Sequence, residues 1–197
     1  MLEFNAERHE YRWCGAVVPG VTGLLDSLHS FAGVDHDVLE AAKHRGSDVH
    51  TMTHYYDEGD LDEDQLRREQ PDILAYLPAW QAFIRDCRPN WRFIEAPVFH
   101  KQLRYAGTPD RFGELHYKGK LVPHAQVDIK TSIASHPVWG IQTAAYNAAA
   151  GCPTARRFTA QLRNDGTYRL LEWTSPDDWP AFVSLLTLKT WKMRNNL

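Results

Sequence analysis

Long apolar runs are missing from this sequence. No stretch approaches the ~20 residues that a membrane-spanning helix requires, which speaks against a helical membrane protein. Cysteine is scarce, with only Cys14, Cys87 and Cys152. An odd set with no CxxC spacing makes a poor disulfide framework, and it falls short of the four thiolates of an iron–sulfur cluster. The thiols read as incidental or buried groups in a reducing compartment. Excess positive charge is also absent: the formal net charge is −3 and the pI near 6.3. Passive coating of nucleic acid relies on basic residues against phosphate, so this balance counts against that class. An enzyme whose acids hold cations that then meet phosphate tolerates it. Met1 to Glu10 is charged and lacks a signal-peptide core, so a cytoplasmic location is expected. No Gly-x-x-x-x-Gly-Lys-Ser/Thr loop occurs, so no nucleotide-driven motor is encoded here.

What is present is ordinary globular material. The 197 residues are 43% hydrophobic and 24% charged, with seven Trp, eight Tyr and eight Phe, which suits one core and a single domain over 1–197. The segment through Gly20 reads as a short strand or hairpin with Trp13, Ala16 and Val18 as apolar members. Thr22 is placed to cap a helix through Leu24, Leu25 and Leu28. A longer helix is predicted from about Asp35 to Tyr56, where Gly46 suggests close packing. The acidic stretch Asp57 to Asp64 reads as a solvated loop or helix start. Another helix begins at Pro71 or Asp72, kinked or split by Pro78, and stops before Pro89 and Asn90.

The hydrophobic period then shortens. Trp91 to Phe99 reads as a strand, and Leu103 to Leu115 and Leu121 to Lys130 as two more joined by a turn near Lys118-Gly119. Pro137 to Ala150 is an alanine-rich helix. Arg156 to Gln161 and Thr167 to Trp173 form a hairpin closed by Asn164-Asp165-Gly166. A last helix runs from about Asp177 to Met193, with Trp179, Phe182, Val183, Leu186 and Trp191 inward. This order points to an α/β sandwich with a mixed central sheet flanked by helices.

One hairpin concentrates the chemistry. With the turn at Lys118-Gly119, Asp110 lies roughly opposite Val127 and Asp128. Asp128 and Lys130 are two apart on one strand and therefore share a face. Two carboxylates can hold a hard cation while leaving room for water and phosphate. A neighbouring lysine can position or deprotonate that water and stabilise charge on the phosphate. The bland alternative is a surface hairpin with an exposed salt bridge. Ala125, Val127 and Ile129 argue for a partly buried strand, where such charges carry a desolvation cost that functional sites tolerate.

Gly107-Thr108-Pro109-Asp110, Asp128-Ile129-Lys130-Thr131 and Gln142-x-x-x-Tyr146 resemble the RecB-like branch of the PD-(D/E)XK nucleases, which includes phage exonucleases similar to lambda exonuclease. Arg45-Gly46-Ser47-Asp48-Val49-His50 resembles the branch's Arg-Gly-x-x-x-His helix motif, and Glu95 lies on the strand where the family often carries a glutamate. The resemblance spans residues 45 to 146. It implies a restriction-endonuclease-like fold and a metal-dependent deoxyribonuclease, an exonuclease of phage-type recombination or repair acting in a bacterial host cell. It implies Asp110, Asp128, Lys130 and Glu95 as catalytic residues. It implies Asp110, Asp128, the Ile129 carbonyl and His50 as ligands to Mg²⁺ or Mn²⁺, the imidazole favouring Mn²⁺. Arg45, Gln142 and Tyr146 would flank the site or touch DNA, the last two from one helix face. DNA is the implied partner; a single-strand annealing protein and further copies of the chain are candidate partners, and no membrane is involved.

Other readings stay open at this point. His50, His54 and Glu58 also have the spacing of a zinc-binding helix face. Glu95 would otherwise be a strand residue paired with Arg92, Lys101 or Arg104, and Tyr146 a core residue. Lys189, Lys192 and Arg194 suit a helix C-terminus. Arg156, Arg157, Arg163 and Arg169 suit either phosphate or a solvated hairpin face. A structure-specific or single-strand endonuclease, or a non-catalytic module that binds DNA ends, are the competing functions.

Overall fold

The computed structural model describes residues 1–5, 8, 10–28 and 35–197. Part of the expected N-terminal hairpin, residues 6, 7 and 9, lies outside the described residues, as do residues 29–34. The first segment forms a small antiparallel sheet of β1 (Leu2–Asn5), β2 (Glu10–Trp13) and β3 (Ala16–Val18). Helix α1 (Val21–Leu25) follows, with Gly20 rather than Thr22 at its N-cap. The expected cap is overridden by tertiary bonding: Gly20 bridges Ala106, and Ala106 N–H donates to Pro19 O at 2.9 Å.

Helix α2 (His36–Glu58) is 23 residues long. Asp35 caps it by accepting from the N–H groups of Asp37 and Val38. Gly46 faces open space, so the expected close packing there is not found. The acidic stretch is divided: Asp57 and Glu58 finish α2, and Asp62 caps α3 (Glu63–Glu69). The proline-interrupted segment splits into α4 (Pro71–Leu74) and α5 (Leu77–Cys87), because the ring of Pro78 fits the first turn of a new helix.

The central sheet has five strands in the order β10-β9-β8-β7-β4. They are β4 (Asn90–Ile94), β7 (Arg111–Tyr117), β8 (Lys120–Lys130), β9 (Arg156–Leu162) and β10 (Tyr168–Trp173). Only β8 and β9 run parallel, joined across the sheet by α6 (Val138–Ala149); the other pairs are antiparallel. The sheet is therefore mixed. The β7–β8 turn has Lys118 at φ +52 and Gly119 at φ +75, the paired left-handed residues that a tight hairpin turn demands. Pro123, which has no N–H to donate, falls where the β7–β8 register shifts.

Two expected strands are interrupted. Trp91 to Phe99 divides into β4 and β5 (Val98–His100), leaving Glu95 just beyond the end of β4. Leu103 to Leu115 divides into β6 (Tyr105–Gly107) and β7, with Thr108-Pro109-Asp110 between them. Pro97 and Pro109 cannot continue a ladder, and β5 and β6 pair with each other in a separate two-stranded sheet.

Helices cover both faces. On one, Val49 and Met52 of α2 with Trp80 and Phe83 of α5 pack on Leu115, Val127, Ile129, Phe158 and Ala160. On the other, α1, α6 and α7 (Asp178–Arg194) bury Leu24, Val138, Tyr146, Phe182 and Leu186 around Tyr105. This is an α/β architecture with a mixed five-stranded sheet flanked by helices. Trp191, expected inward, is 54% exposed. It lines an open groove with Val17, Leu103 and Met193 instead. Among the described residues, no helix is long and apolar enough to cross a membrane.

Candidate active site

The β7–β8 register pairs Arg111 with Val127, and one further step sets Asp110 across from Asp128. Asp110 reaches over the gap: its Oδ2 accepts the Ile129 N–H at 2.6 Å. Asp128 is paired through Oδ2 with Lys130 Nζ at 2.7 Å. The side chain of Lys130 is 23% exposed, whereas Asp128 is 1% exposed. Strand alternation produces this. Ala125, Val127 and Ile129 enter the α2/α5 core, so Gln126, Asp128 and Lys130 take the other face.

His50 closes the group from α2. Its Nε2 lies 3.0 Å from Ile129 O, and its Nδ1 lies 3.5 Å from Asp110 Oδ1. The imidazole thus bridges a main-chain carbonyl and a carboxylate. From α6, Tyr146 comes near enough to feel the charges of Asp128 and Asp110, and Gln142 Nε2 donates to its hydroxyl at 3.1 Å. Asp110, Asp128, Ile129, Lys130, His50, Gln142 and Tyr146 are therefore brought together.

The electrostatics are those of a crowded buried site. Burial, then the charge of Asp110, pushes the Asp128 carboxyl up to about 6, against the opposing pull of Lys130 and His50. Burial lowers the Lys130 ammonium, but Asp128 and Asp110 outweigh it and its pKa ends above the usual value. Burial, and then Asp128 and Asp110, raise the Tyr146 phenol, which stays protonated.

Glu95 and Arg45 stand apart from that group. The Glu95 carboxylate faces His54 Nδ1 at 3.3 Å and Arg111 Nη1 at 3.6 Å, not Arg92, Lys101 or Arg104. Its main chain does reach the site: at φ +46, a strained left-handed conformation, it donates its N–H to Asp110 O at 2.9 Å. Arg45 is half-buried on α2 and, among the described residues, bonds none of Asp110, Asp128 and Lys130; its Nε has no hydrogen-bond partner among them. His54 lies between Glu58, at 3.2 Å, and Glu95. Among the described residues, no group of three or more His, Cys, Asp or Glu side chains stands ready to hold a metal ion, the His50-His54-Glu58 face and the His50-Asp110-Asp128 set included. Two of the hairpin arginines are engaged in ion pairs, Arg156 with Glu172 and Arg157 with Asp178.

Sequence reading missed the residues behind the site. Arg111 is wholly buried, and its Nε donates to Asp57 Oδ2 at 2.7 Å. Thr53 and Asp57 follow His50 at i+3 and i+7, one face of α2. The available signal was parity: Arg111 shares its strand face with Gly113 and Leu115, a core position where an arginine needs a buried partner.

Gly107 explains one motif residue physically. A Cβ there would lie 2.5 Å from Tyr146 Cε1 and 2.9 Å from Cδ1. Gly107→Ala is expected to force that ring aside and lower stability by about 1–3 kcal/mol, as overpacked cores do. Urea unfolding measures this, and an unchanged midpoint would mean that the ring has room to move.

No family model matches this chain, and no curated protein does. Solved structures similar to it include the crystal structure of SSO0001, at 15% identity and a TM-score of 0.35, over 71% of this chain and 70% of that one. Likeness at that level fixes neither fold nor function.

Proposed function

We propose that the chain is a divalent-metal-dependent deoxyribonuclease of restriction-endonuclease-like fold, hydrolysing DNA phosphodiester bonds. One observation carries this reading: the Asp110 carboxylate is bound across the strand gap to Ile129 N–H, beside buried Asp128 and its Lys130 partner. A salt bridge on a solvated hairpin has no need of such burial. The order of the motifs along the chain supports the same class.

The donors suit Mg²⁺ or Mn²⁺. The Asp110 and Asp128 carboxylates and the Ile129 carbonyl offer hard oxygens, and His50 adds a nitrogen that suits Mn²⁺ better than Mg²⁺. His50 already touches Asp110 and Ile129 O, so three of the four assigned groups share one locus. The buried carboxylates repel each other, which a cation would relieve. A bound ion would polarise the phosphoryl oxygen and acidify a water.

The chain's own groups do the rest. Lys130 is held as an ammonium by Asp128, so it acts as a donor rather than a base. It orients the attacking water and stabilises charge growing on the phosphate oxygens. Water oxygen forms the new bond to phosphorus, and the ester oxygen leaves with a proton. Gln142 and the protonated Tyr146 wall one side of the site and offer neutral donors to the phosphate.

The resemblance of the motifs favours an exonuclease over an endonuclease. Linear duplex DNA should be degraded with Mg²⁺ or Mn²⁺, and not with EDTA, while closed circles survive. Cut circles would move the reading to an endonuclease. Intact linear and single-stranded DNA with both metals would remove the nuclease reading altogether.

A further inference from the structure

The guanidinium of Arg111 ties α2 to the start of β7. Its Nε donates to Asp57 Oδ2 at 2.7 Å, its Nη2 to Thr53 Oγ1 at 3.2 Å and its Nη1 to Asp110 O at 2.9 Å. The same Nη1 lies 3.6 Å from Glu95 Oε1, and the group stacks 5.5 Å above the Trp80 ring. Trp80 Nε1 in turn donates to the other Asp57 oxygen at 2.9 Å. The Arg111 side chain is 0% exposed and that of Asp57 3%.

We infer that Arg111 is a positioning residue for the metal-binding locus. It fixes the register of α2 against the start of β7, so that His50 and Asp110 meet at one point. The proposal rests on the metal site of the nuclease reading.

The reasoning begins from cost. A buried ion pair is a poor source of net stability, since well-packed apolar side chains do as well or better. What the pair adds is geometry. Lysine is a single point donor, whereas the arginine fork bonds several acceptors in fixed directions at once. Here those acceptors are two α2 side chains and the peptide of Asp110 itself. The Asp110 carbonyl is held twice, by Arg111 and by the Glu95 N–H at 2.9 Å. His50 is one turn before Thr53 on the same helix face. A slide or roll of α2 would therefore carry His50 away from Asp110 and Ile129 O. Partners that orient metal ligands typically change affinity about 10–100-fold when removed.

The test measures Mn²⁺ binding to the full chain by the electron paramagnetic resonance signal of free Mn²⁺. Thermal melting checks folding. Arg111→Lys keeps the charge beside Asp57 and loses the fork. Arg111→Met combined with Asp57→Asn removes both charges and keeps an acceptor for Trp80. Each variant should melt cooperatively and bind Mn²⁺ about 10–100-fold more weakly. Cleavage at saturating Mn²⁺ should recover towards the wild-type rate, which a collapsed site would not do. Folded variants with wild-type Mn²⁺ affinity would overturn the proposal. Should neither fold, Thr53→Ala removes only the Nη2 contact, and wild-type Mn²⁺ affinity in that variant would overturn it equally. Wild-type protein that binds Mn²⁺ no better than Asp110→Asn would instead remove the metal site, and this proposal with it. Loss of affinity in the folded Arg111 variants as well as in Asp110→Asn supports both.

Discussion

Lys130→Ala should lower metal-dependent DNA cleavage by about 10²–10³-fold, the loss seen when one donor to transition-state charge is removed, while duplex affinity changes little. The ammonium lies 2.7 Å from Asp128 Oδ2, and enough of it is exposed to meet a substrate. The net charge of the chain is −3, so its overall field gives phosphate no help. Removing the lysine also leaves Asp128 without its main stabilising charge and pushes its carboxyl higher still. The assay therefore belongs at pH 8 with saturating Mn²⁺, conditions that favour the ionised form of Asp128 in both proteins. Single-turnover cleavage of end-labelled duplex gives the rate, and gel shift in Ca²⁺ gives the affinity. A variant that cuts within a few-fold of wild type would strip Lys130 of its role. A variant that neither binds nor cuts would make the lysine a binding group.

The part of this site that was legible in the sequence is the part that depends on local rules. Lys118-Gly119 marks a tight turn, and counting back from it sets Asp110 roughly opposite Val127 and Asp128; the one-residue register shift between Gly113 and Leu115, which the turn does not reveal, is what brings it across from Asp128. Alternation alone puts Asp128 and Lys130 on one face. The helix and strand order also follows from local period, so the mixed sheet between helices was within reach. What escaped depends on distant partners. Thr22 was read as a cap because nothing local reveals that Gly20 bridges Ala106. Glu95 was read as a strand residue, although Pro97 lay close enough to warn of a break. Its real partners, His54 and Arg111, come from other elements. Arg111 was missed because a lone arginine beside an aspartate looks like solvated surface until Asp57 and Thr53 are folded over it. Gly46 was given a packing role that it lacks, since a glycine in a helix records freedom and not its cause. Trp191 fell on the helix face expected to be inward, yet it only lines an open groove with Val17 and Leu103 and stays more than half exposed.

Asp128→Asn should abolish cleavage and yet relieve the metal-free protein as pH rises. Burial, with Asp110 nearby, holds the Asp128 carboxyl at about 6 in the folded chain, above the ordinary carboxylate range of the unfolded chain. A raised carboxyl works against the fold when ionised. Below about pH 4 the group is protonated in both states and costs nothing. Between about pH 4 and pH 6 the unfolded chain releases its proton first, so native stability falls. Above pH 6 the loss is complete and constant. At ~1.4 kcal/mol per pH interval this amounts to something on the order of 3 kcal/mol. Asparagine cannot ionise, so the wild-type minus variant difference in unfolding free energy should drop by that amount between pH 4 and pH 7. Taking the difference cancels the titrating groups remote from Asp128, and the pairing with Lys130 is already contained in the position of its carboxyl. Urea unfolding in EDTA across that range measures it. A difference independent of pH would mean that Asp128 is not held in a desolvated pair. Adding Mn²⁺ at pH 7 should then raise the wild-type midpoint and leave the variant nearly unmoved, because the charge that burdens the empty fold is the one that holds the ion.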